Sequence, residues 1–398
     1  MAKATYDVCV IGGLGHVGLP LGISLAGAGK RVVLYDIDER AAKTVSAGVV
    51  PFVELDAQPA LKKALGKTLF ITSDRQAVAQ SHFVIVVIGT PVDEHLNPKF
   101  SIFRKFFDGI LDLLNDRQHV ILRSTVFPGT TDWTRDYLLS NGKKTRVSFC
   151  PERISQGEAM HELRTLPQIV ASFDAAGRKE AAGLFSLLTK DVLFLSPLEA
   201  ELGKLFTNVW RYIQFAIANQ FFQIATQHGL DFYKIYDAIT HNYPRARHFP
   251  KAGLAAGPCL FKDTMQLAAY SNNSFFLGHA AMLINEGLPN HVVGLLKAGR
   301  SLRRKTVGIL GMAFKADSDD PRESLAYKLR KMLEIECGDV LITDPFVRDE
   351  RIIPAEDVIA RSDILIIGAP HSVYRELDLR GKHVVDIWNF LGKGGIIE

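Results

Sequence analysis

The chain has 398 residues, enough for two or three domains, and its 47% hydrophobic and 23% charged residues are typical of a folded globular protein. Its 47 basic and 43 acidic residues give a net charge of only +4, without a Lys/Arg run that would indicate nucleic-acid binding. The four cysteines form no CxxC pair, which predicts reduced thiols, no bound metal and a cytoplasmic protein. We expect no signal peptide and no membrane span.

The first pattern along the chain is a dinucleotide-binding fingerprint. The apolar run Tyr6–Ile11 predicts a strand, and Gly13-Leu14-Gly15-His16-Val17-Gly18 supplies GxGxxG before a helical pattern. A second apolar strand, at 31–35, ends in Asp36. The glycines allow the backbone to approach a pyrophosphate, and Asp36 can accept hydrogen bonds from both ribose hydroxyls. The pattern therefore favours NAD, although arginines at 31 and 40 leave NADP open.

Polar residues follow three further apolar strands, at 83–88, 120–122 and 147–150. Ligands of doubly wound sheets bind at the carboxyl ends of the strands, so Thr90, Ser124 and Thr125 are predicted to contact one, unless they only shape turns. Glu152 follows the third strand. It is either a general acid or base or a solvated surface carboxylate.

A long helix is predicted next. Ser196-Pro197-Leu198-Glu199 is a capping box with Pro at the first helical position, and no Pro or Gly interrupts the pattern from 204 to 227. Lys204, Asn208 and Arg211 share one face, which is either solvated or the wall of a site. Helices at about 231–240, 265–270, 275–286 and 289–297 would complete a helical middle domain.

The segment Gly257-Pro258-Cys259-Leu260-Phe261-Lys262-Asp263-Thr264 places a thiol beside a cation and a carboxylate, after the small, flexible run 252–256. Such a setting can activate a cysteine as a nucleophile. The alternative is a buried, inert cysteine beside an ordinary surface Lys-Asp pair.

A second α/β pattern begins after residue 300, with strands at 305–310, 340–343, 363–367 and 383–385 and a helix at 323–336. It lacks GxGxxG, and Lys315 and Arg322 are either phosphate contacts or surface cations. The predicted fold class is α/β, with two Rossmann-like doubly wound parallel-sheet domains joined by a long central helix and a helical middle domain. The predicted domains span 1–195, 196–300 and 301–398.

Seven motifs occur in one order along nearly the whole chain. They are GLGHVGLP, the GTP at Gly89, RSTVFPGTT, CPERISQG, Glu201-x-x-Lys204-x-x-x-Asn208, GPCLFKDT and GMAFKADSDDPRES. This set resembles the UDP-glucose/GDP-mannose dehydrogenase family, whose members oxidise the C6 alcohol of a nucleotide sugar to a carboxylate. The resemblance implies NAD as cofactor, a UDP-sugar as substrate and a role in polysaccharide biosynthesis.

The resemblance also implies roles for individual residues. The catalytic set is the nucleophile Cys259, the oxyanion-stabilising Lys204 with its neighbour Asn208, the water-positioning pair Asp263 and Thr125, and the general base Glu152. Cofactor contacts fall on Gly13, Gly15, His16, Val17, Gly18, Asp36, Thr90, Thr125 and Arg322. Substrate contacts fall on Glu152, Lys204, Asn208, Phe314, Lys315 and Arg245, the last offered by a neighbouring subunit.

Several positions depart from the family pattern. Gln156 replaces a second Glu, Ala256 replaces a Gly before the cysteine, and Trp388 stands where members often have the Arg of DxRN. The segments PERISQGEAMHEL and Tyr243-Pro244-Arg245 are more similar to the branch that acts on UDP-N-acetyl-hexosamines, ManNAc or GlcNAc. UDP-glucose remains the alternative substrate.

Two other functions are compatible with parts of the pattern. A β-hydroxyacid dehydrogenase of the 6-phosphogluconate type also pairs Lys with Asn one turn apart, but it needs neither Cys259 nor a second α/β domain. A non-catalytic sugar-nucleotide sensor would not need Cys259, Lys204 and Asp263 together. The apolar side chains Phe206, Phe215, Phe221 and Phe222 of the long helix suggest a homodimer or a higher homo-oligomer.

Overall fold

The computed structural model describes residues 4–93, 99–254, 257–299, 301–394 and 396–397. Ala255 and Ala256 of the small-residue run before the cysteine, and Arg300 at a predicted domain boundary, lie outside these ranges. The chain forms two compact units, Met1–Thr207 and Asn208–Glu398. The division falls inside the longest helix, so the helix contributes residues to both units.

Within the described residues, the first unit contains an eight-stranded sheet in the order β3-β2-β1-β4-β5-β6-β7-β8. Neighbouring strands are parallel except β6 and β7, which are antiparallel. The first six positions have the Rossmann order, in which β1 lies between β2 and β4. The strands are β1 Tyr6–Ile11, β2 Val32–Tyr35, β3 Leu69–Thr72, β4 Ser81–Val86, β5 His119–Leu122, β6 Arg146–Phe149, β7 Gln168–Ser172 and β8 Val192–Leu195.

Helices cover both faces of this sheet because the strands are apolar on both sides. In β1, Val8 and Val10 belong to one buried cluster, whereas Cys9 and Ile11 belong to another. This alternation follows from the two-residue period of a strand. The helices are α1 Gly18–Gly27, α2 Glu39–Ser46, α3 Ala57–Ala64, α4 Gln76–Ala79, α5 Phe100–Ile110, α6 Thr130–Ser140, α7 Ala159–Thr165 and α8 Ala175–Phe185, with a 3-10 turn at Leu111–Leu113.

The second unit combines helices with a smaller sheet, ordered β10-β9-β11-β12-β13, in which only the pairing of β12 with β13 is antiparallel among the described strands. Its strands are β9 Thr306–Leu310, β10 Asp339–Thr343, β11 Ile364–Ile367, β12 His383–Val385 and β13 Ile396–Ile397. The remaining helices are α9 Pro197–Gln227, α10 Phe232–Thr240, α11 Leu260–Tyr270, α12 Phe276–Lys297, α13 Leu325–Glu336 and α14 Ala355–Arg361, with 3-10 turns at Pro244–Ala246 and Ser372–Glu376. None of the described helices is long and apolar enough to cross a membrane.

The predicted fold class is confirmed: two largely parallel sheets are joined by the long helix α9. The Glu199 part of the predicted capping box forms, since the Glu199 carboxylate accepts hydrogen bonds from the backbone N–H and the hydroxyl of Ser196, both at 2.7 Å. The sequence did not predict the short strands β3, β7, β8 and β13. Both β3 and β8 are edge strands of four residues, and the middle residues of β8 are exposed although they are apolar.

One helix prediction was wrong. The sequence suggested separate helices at 275–286 and 289–297. Pro inside a helix is costly, because it lacks an N–H and clashes with the preceding turn. The structure instead has the single helix α12, with Pro289 buried inside it. The flanking side chains Leu288, Val292 and Val293 belong to the core of the second unit. Their burial outweighs the cost of the proline.

Candidate active site

The loop between β1 and α1 has the shape that a dinucleotide pyrophosphate requires. A Cβ built on Gly18 would lie 2.5 Å from the carbonyl oxygen of Gly12, so only glycine allows this close packing. At Gly15, by contrast, no atom lies within 4 Å of a built Cβ, so the loop surface is open there. The loop leads directly into α1, whose N-terminal N–H groups favour an anion. Val17 is the residue before this helix.

Asp36 lies at the end of β2, where the ribose of a dinucleotide is expected. Its Oδ2 accepts a hydrogen bond from the backbone N–H of Leu14 at 3.2 Å, and its Oδ1 accepts one from Asp38 at 3.1 Å. The carboxylate is therefore attached to the glycine-rich loop. The ring of His16 stacks on Phe52 with 4.1 Å between centroids. The glycine-rich loop and Asp36 are the residues that would hold a dinucleotide, and the contact predicted for His16 stays a prediction.

The polar residues after β4 and β5 contact each other. The Thr90 hydroxyl donates a hydrogen bond to the carbonyl oxygen of Thr125, and the Ser124 hydroxyl donates to that of Ile88 at 2.7 Å. Thr90 and Thr125 are both partly buried. The carboxyl ends of these neighbouring strands thus form one polar edge beside β1.

Glu152 is 8% exposed, so it is not a solvated surface carboxylate. Its Oε2 accepts hydrogen bonds from Nε of Arg123, at 3.0 Å, and from a terminal guanidinium nitrogen of the same side chain. Its Oε1 accepts from the backbone N–H groups of Arg153, at 2.8 Å, and Ile154, at 3.2 Å. Arg123 is 1% exposed and also pairs with Gln168. The ion pair fixes the position of Glu152.

A second buried carboxylate holds the loop that follows β5. Glu201 in α9 is fully buried and accepts hydrogen bonds from the backbone N–H of Gly129, at 2.6 Å, and of Thr131, at 2.8 Å. Burial raises the pKa of Glu201 against the opposing effect of these bonds. The contact joins α9 to the start of α6 and fixes the loop 125–131 that carries Thr125.

Lys204 and Asn208 lie one turn apart on α9 and are 8% and 5% exposed, respectively. Arg211, which the sequence grouped with them, is exposed. Of the three residues predicted to share one face of α9, only Lys204 and Asn208 are therefore buried. Polar side chains rarely become buried unless they are paired. Asn208 is paired with a carboxylate of α11, as described below.

Cys259 is exposed and occupies the N-cap position of α11, a helix that begins five residues earlier than the sequence predicted. The positive end of a helix favours the thiolate form of a cysteine. Arg322 adds positive charge nearby. The pKa of its guanidinium is raised mainly by hydrogen bonds to Asp320 and also by the Cys259 sulfur. The thiol is therefore exposed and not buried.

Asp263 lies in the first turn of α11 and is fully buried. Its Oδ2 accepts a hydrogen bond from Nδ2 of Asn208 at 2.5 Å, and Nζ of Lys262 lies 2.8 Å from its Oδ1. The second unit thus brings together the nucleophile candidate, the carboxylate one turn after it and the amide from α9. The family resemblance had assigned these three residues to one site.

Phe314 and Lys315 follow β9 in a loop that a third buried carboxylate shapes. Asp344 accepts hydrogen bonds from the backbone N–H groups of Met312, at 2.6 Å, and Ala313, at 3.0 Å, and pairs with Nε2 of His371 at 3.0 Å. Burial opposes the charge, but His371 and the backbone N–H groups of Phe346 and Val347 lower the pKa of Asp344 to about 2. Phe314 and Lys315 are both partly buried.

Arg245 lies on the 3-10 turn Pro244–Ala246 and is exposed. Its Nε donates to the Tyr243 hydroxyl at 2.8 Å, and its guanidinium lies 5.0 Å from the centre of that ring. Among the described residues no group of three or more His, Cys, Asp or Glu side chains could hold a metal ion.

Sequence reasoning missed Arg123, Glu201 and Asp344 as functional supports. Each is a charged residue at a position where the surrounding pattern is apolar or where a buried strand ends. That mismatch was the available signal, because a charge in such a place needs a buried partner.

Three models of one protein family match successive parts of this chain. The NAD binding domain of the UDP-glucose/GDP-mannose dehydrogenase family matches residues 6–186, the central domain matches 198–286 and the UDP binding domain matches 308–393. The chain belongs to the UDP-glucose/GDP-mannose dehydrogenase family. NAD is therefore its cofactor, and a UDP-sugar is the class of substrate that its UDP binding domain supports. A β-hydroxyacid dehydrogenase would not need this last domain.

Relatives of this nucleotide-sugar dehydrogenase match it over nearly the full length. The UDP-N-acetyl-D-mannosamine dehydrogenase of Pyrococcus horikoshii is 29% identical over 394 residues, which cover 96% of this chain and 91% of the relative. A solved UDP-D-ManNAc dehydrogenase from P. horikoshii has a TM-score of 0.86 at 28% identity and covers 94% of this chain and 91% of its own. A UDP-glucose dehydrogenase from Pyrobaculum islandicum has a TM-score of 0.87 at 26% identity. The match covers 97% of this chain and 95% of that protein.

Proposed function

We propose that this dehydrogenase oxidises the C6 alcohol of a UDP-sugar to a carboxylate in two steps, through a covalent intermediate on Cys259. The observation that carries the proposal is the exposed Cys259 at the N-cap of α11, followed one turn later by a buried Asp263 that binds Asn208. Two successive oxidations remove four electrons. NAD accepts one hydride in each of them, so two NAD are reduced per sugar.

In the first oxidation, the C6 hydroxyl loses its proton and C6 loses a hydride, which yields an aldehyde. Lys204 is buried beside Asn208 on α9, and its ammonium group would stabilise the negative charge that develops on the oxygen. Thr90, Thr125 and Arg322 are proposed to contact the cofactor, as are the glycine-rich loop and Asp36.

In the second oxidation, the Cys259 thiolate adds to the aldehyde carbon and the oxygen takes up a proton, giving a thiohemiacetal. Loss of a hydride from that carbon and of the hydroxyl proton leaves a thioester. The covalent bond prevents the aldehyde from escaping. Attack of water on the thioester then expels the thiolate and releases the carboxylic acid, which ionises.

Hydrolysis requires a water molecule that is oriented and deprotonated. We assign Glu152 as the base and Asp263 with Thr125 as the groups that orient the water. The fixed positions of the two carboxylates, one held by Arg123 and the other by Asn208, support these roles. Phe314, Lys315 and Arg245 are proposed to contact the UDP-sugar, with Arg245 contributed by a neighbouring subunit.

We propose a UDP-N-acetyl-hexosamine, ManNAc or GlcNAc, as the sugar substrate. Support comes from the PERISQGEAMHEL segment and from the P. horikoshii relative named for UDP-N-acetyl-D-mannosamine. The similar fold of the P. islandicum UDP-glucose dehydrogenase keeps UDP-glucose as the second candidate. We also propose a cytoplasmic location, a role in polysaccharide biosynthesis and the domain boundaries 1–195, 196–300 and 301–398.

The test is to incubate the purified protein and NAD with UDP-N-acetylmannosamine, UDP-N-acetylglucosamine, UDP-glucose and GDP-mannose in parallel. We expect two NADH per sugar consumed with one of the UDP-N-acetyl-hexosamines. Cys259→Ala should bind NAD and the UDP-sugar but form no acid. A yield of one NADH per sugar, or steady acid production by Cys259→Ala, would contradict the covalent mechanism. No NADH with any of the four would favour the sensor.

A further inference from the structure

The backbone just before the Cys259 segment is held by a buried amide. Oδ1 of Asn219, in α9, accepts a hydrogen bond from the backbone N–H of Gly253 at 2.8 Å, and its Nδ2 donates to the carbonyl oxygen of Gly253 at 3.0 Å. The amide therefore satisfies both main-chain groups of one residue. Loop backbone that is buried needs such partners, since an unpaired N–H or C=O is costly.

Asn219 is itself fixed in place. Its Nδ2 also donates to Oδ1 of Asn285 at 2.9 Å, and Nδ2 of Asn285 donates to the carbonyl oxygen of Tyr212 at 3.0 Å. Asn219, Asn285 and Tyr212 are all fully buried. A buried network in which these amides are satisfied is rigid, because losing one bond leaves a polar group unpaired. The position of Gly253 is therefore coupled to α9 and α12.

The opposite face of Gly253 is covered by an indole ring. A Cβ built on Gly253 would lie 2.2 Å from both Cε3 and Cζ3 of Trp388. The ring cannot easily move aside, because Nε1 of Trp388 donates to the carbonyl oxygen of Gly368 at 3.2 Å and the ring packs against two core clusters. Gly253 has no positive φ, so its backbone would accept alanine if the ring were absent.

The segment is also held at its other end. Gly257, two residues before Cys259, donates its N–H to the carbonyl oxygen of Glu323 at 3.4 Å. A Cβ on Gly257 would lie 2.6 Å from the ring of Phe314. Gly253 and Gly257, one on each side of residues 255–256, are thus each confined by neighbouring groups.

We propose that Asn219 and Trp388 are positioning residues for the nucleophile: together they fix Gly253 and thereby set where the Cys259 thiol lies. The inference rests on the proposed role of Cys259. Neither side chain is assigned to the substrate or to NAD. They act through the backbone, and a misplacement of about 1 Å at a reacting group typically costs about a hundredfold in rate.

The test uses the reactivity of the thiol, which can be measured without turnover. Burial raises the pKa of Cys9 and Cys150 to about 12, and that of Cys337 to about 11, so iodoacetamide at neutral pH reports on the exposed Cys259. Cys259→Ala gives the background. The variants are Gly253→Ala, Trp388→Leu and the double variant. Gly287→Ala in α12 is the matched control, since no atom lies within 4 Å of its built Cβ.

We expect Gly253→Ala to change the alkylation rate constant of Cys259 at least about threefold and to lower kcat about tenfold or more, with the KM for NAD unchanged. Adding Trp388→Leu should remove the clash and restore both quantities to within about threefold of Trp388→Leu alone. Gly287→Ala should behave as wild type. Asn219→Ala should shift thiol reactivity in the same sense as Gly253→Ala.

The proposal is overturned if Gly253→Ala reacts and turns over as wild type does, or if the double variant gains nothing over Gly253→Ala. Should Gly253→Ala fail to fold while Trp388→Leu folds, the double variant decides: a folded double variant supports the clash, and an unfolded one rejects it. Should Trp388→Leu also fail to fold, the alkylation rate of Asn219→Ala decides, and a wild-type rate there rejects the proposal. If Cys259 proves not to be catalytic, the kcat of Gly253→Ala will not change. The alkylation rates will still report whether Asn219 and Trp388 position the thiol. Failure of the positioning proposal and failure of the proposed role of Cys259 therefore give different results.

Discussion

At the scale of single residues, the proposed chemistry depends on polar groups that are buried or fixed before any ligand binds. Lys204, Asn208 and Asp263 are at most 8% exposed. Glu152 and Asp263 each accept hydrogen bonds from partners on other elements of their own unit. Prior placement matters because a group that is already oriented loses little entropy when the reaction begins.

Lys204→Met should test the oxyanion role, because methionine keeps most of the aliphatic volume and removes the charge. We expect kcat to fall about a hundredfold or more, as removal of one oxyanion donor typically costs about 3 kcal/mol of transition-state stabilisation. NAD binding and the melting temperature should stay close to wild type. Steady-state kinetics give kcat and the KM for NAD, and a thermal melt gives the melting temperature. Wild-type kcat in a folded Lys204→Met protein would remove Lys204 from the mechanism.

At the scale of secondary-structure elements, a titratable cluster joins three strands and a helix of the first unit. It lies at the amino ends of the strands, whereas the cofactor loop follows the carboxyl end of β1. His119 of β5 is fully buried, with Nε2 2.7 Å from the Ser148 hydroxyl and Nδ1 3.1 Å from Glu180 of α8. Glu180 also pairs with His82, at 2.6 Å, and with Arg146, at 2.9 Å. Burial lowers the pKa of His119 from 6.5 to about 4, although Glu180 opposes the shift.

This cluster predicts loss of stability in mild acid. Between pH 6.5 and about 4 the unfolded chain binds a proton at His119 that the folded chain does not. The free energy of unfolding therefore decreases as the pH is lowered through this range. The loss from pH 7 to pH 5 should be about 2 kcal/mol. Glu180, whose pKa is lowered by its partners against the effect of burial, adds a further loss only below its ordinary value of 4.5.

His119→Gln should flatten this pH dependence, whatever its effect on stability at pH 7. His228→Gln, at an exposed histidine, is the control and should keep the wild-type slope. Urea unfolding at pH 7 and pH 5 gives both differences. An unchanged slope in His119→Gln would contradict the assignment.

The elements also show how far sequence reasoning reached. Five strands of the first sheet, four of the second, the long helix and the dinucleotide loop were predicted because apolar periodicity and glycine spacing are local signals. The bond between Arg123 and Glu152 joins residues 29 positions apart, and that between Asn208 and Asp263 joins residues 55 apart. Such pairs depend on which elements meet in the folded chain, so spacing alone could not reveal them.

At the scale of the whole molecule, α9 carries apolar side chains that its own chain leaves uncovered. Phe206, Trp210 and Phe221 are 52%, 58% and 46% exposed. Of the side chains that suggested a dimer from the sequence, Phe222 is instead fully buried in the core of the second unit, and Phe215 is partly buried. The exposed positions still favour a symmetric dimer, because such a patch is unusual on a monomer.

Trp210→Glu should therefore weaken self-association, since it introduces a charge into an apolar contact. Sedimentation at several protein concentrations should show the wild type as a dimer or larger species and Trp210→Glu shifted towards monomer. Ile335→Glu is the control, because Ile335 is 84% exposed on α13. A monomeric wild type, or equal self-association by all three proteins, would contradict the predicted dimer.

Three carboxylates, those of Glu201, Asp344 and Glu54, shape loops of this protein by accepting hydrogen bonds from main-chain N–H groups. Every residue except proline offers such a group, whatever its side chain. A loop held in this way can exchange its exposed residues while keeping its course. The backbone agreement with the P. horikoshii protein, a TM-score of 0.86 at 28% identity, is compatible with that freedom. For protein engineers, the exposed positions of these loops are thus the places where substitutions should least disturb the course of the backbone.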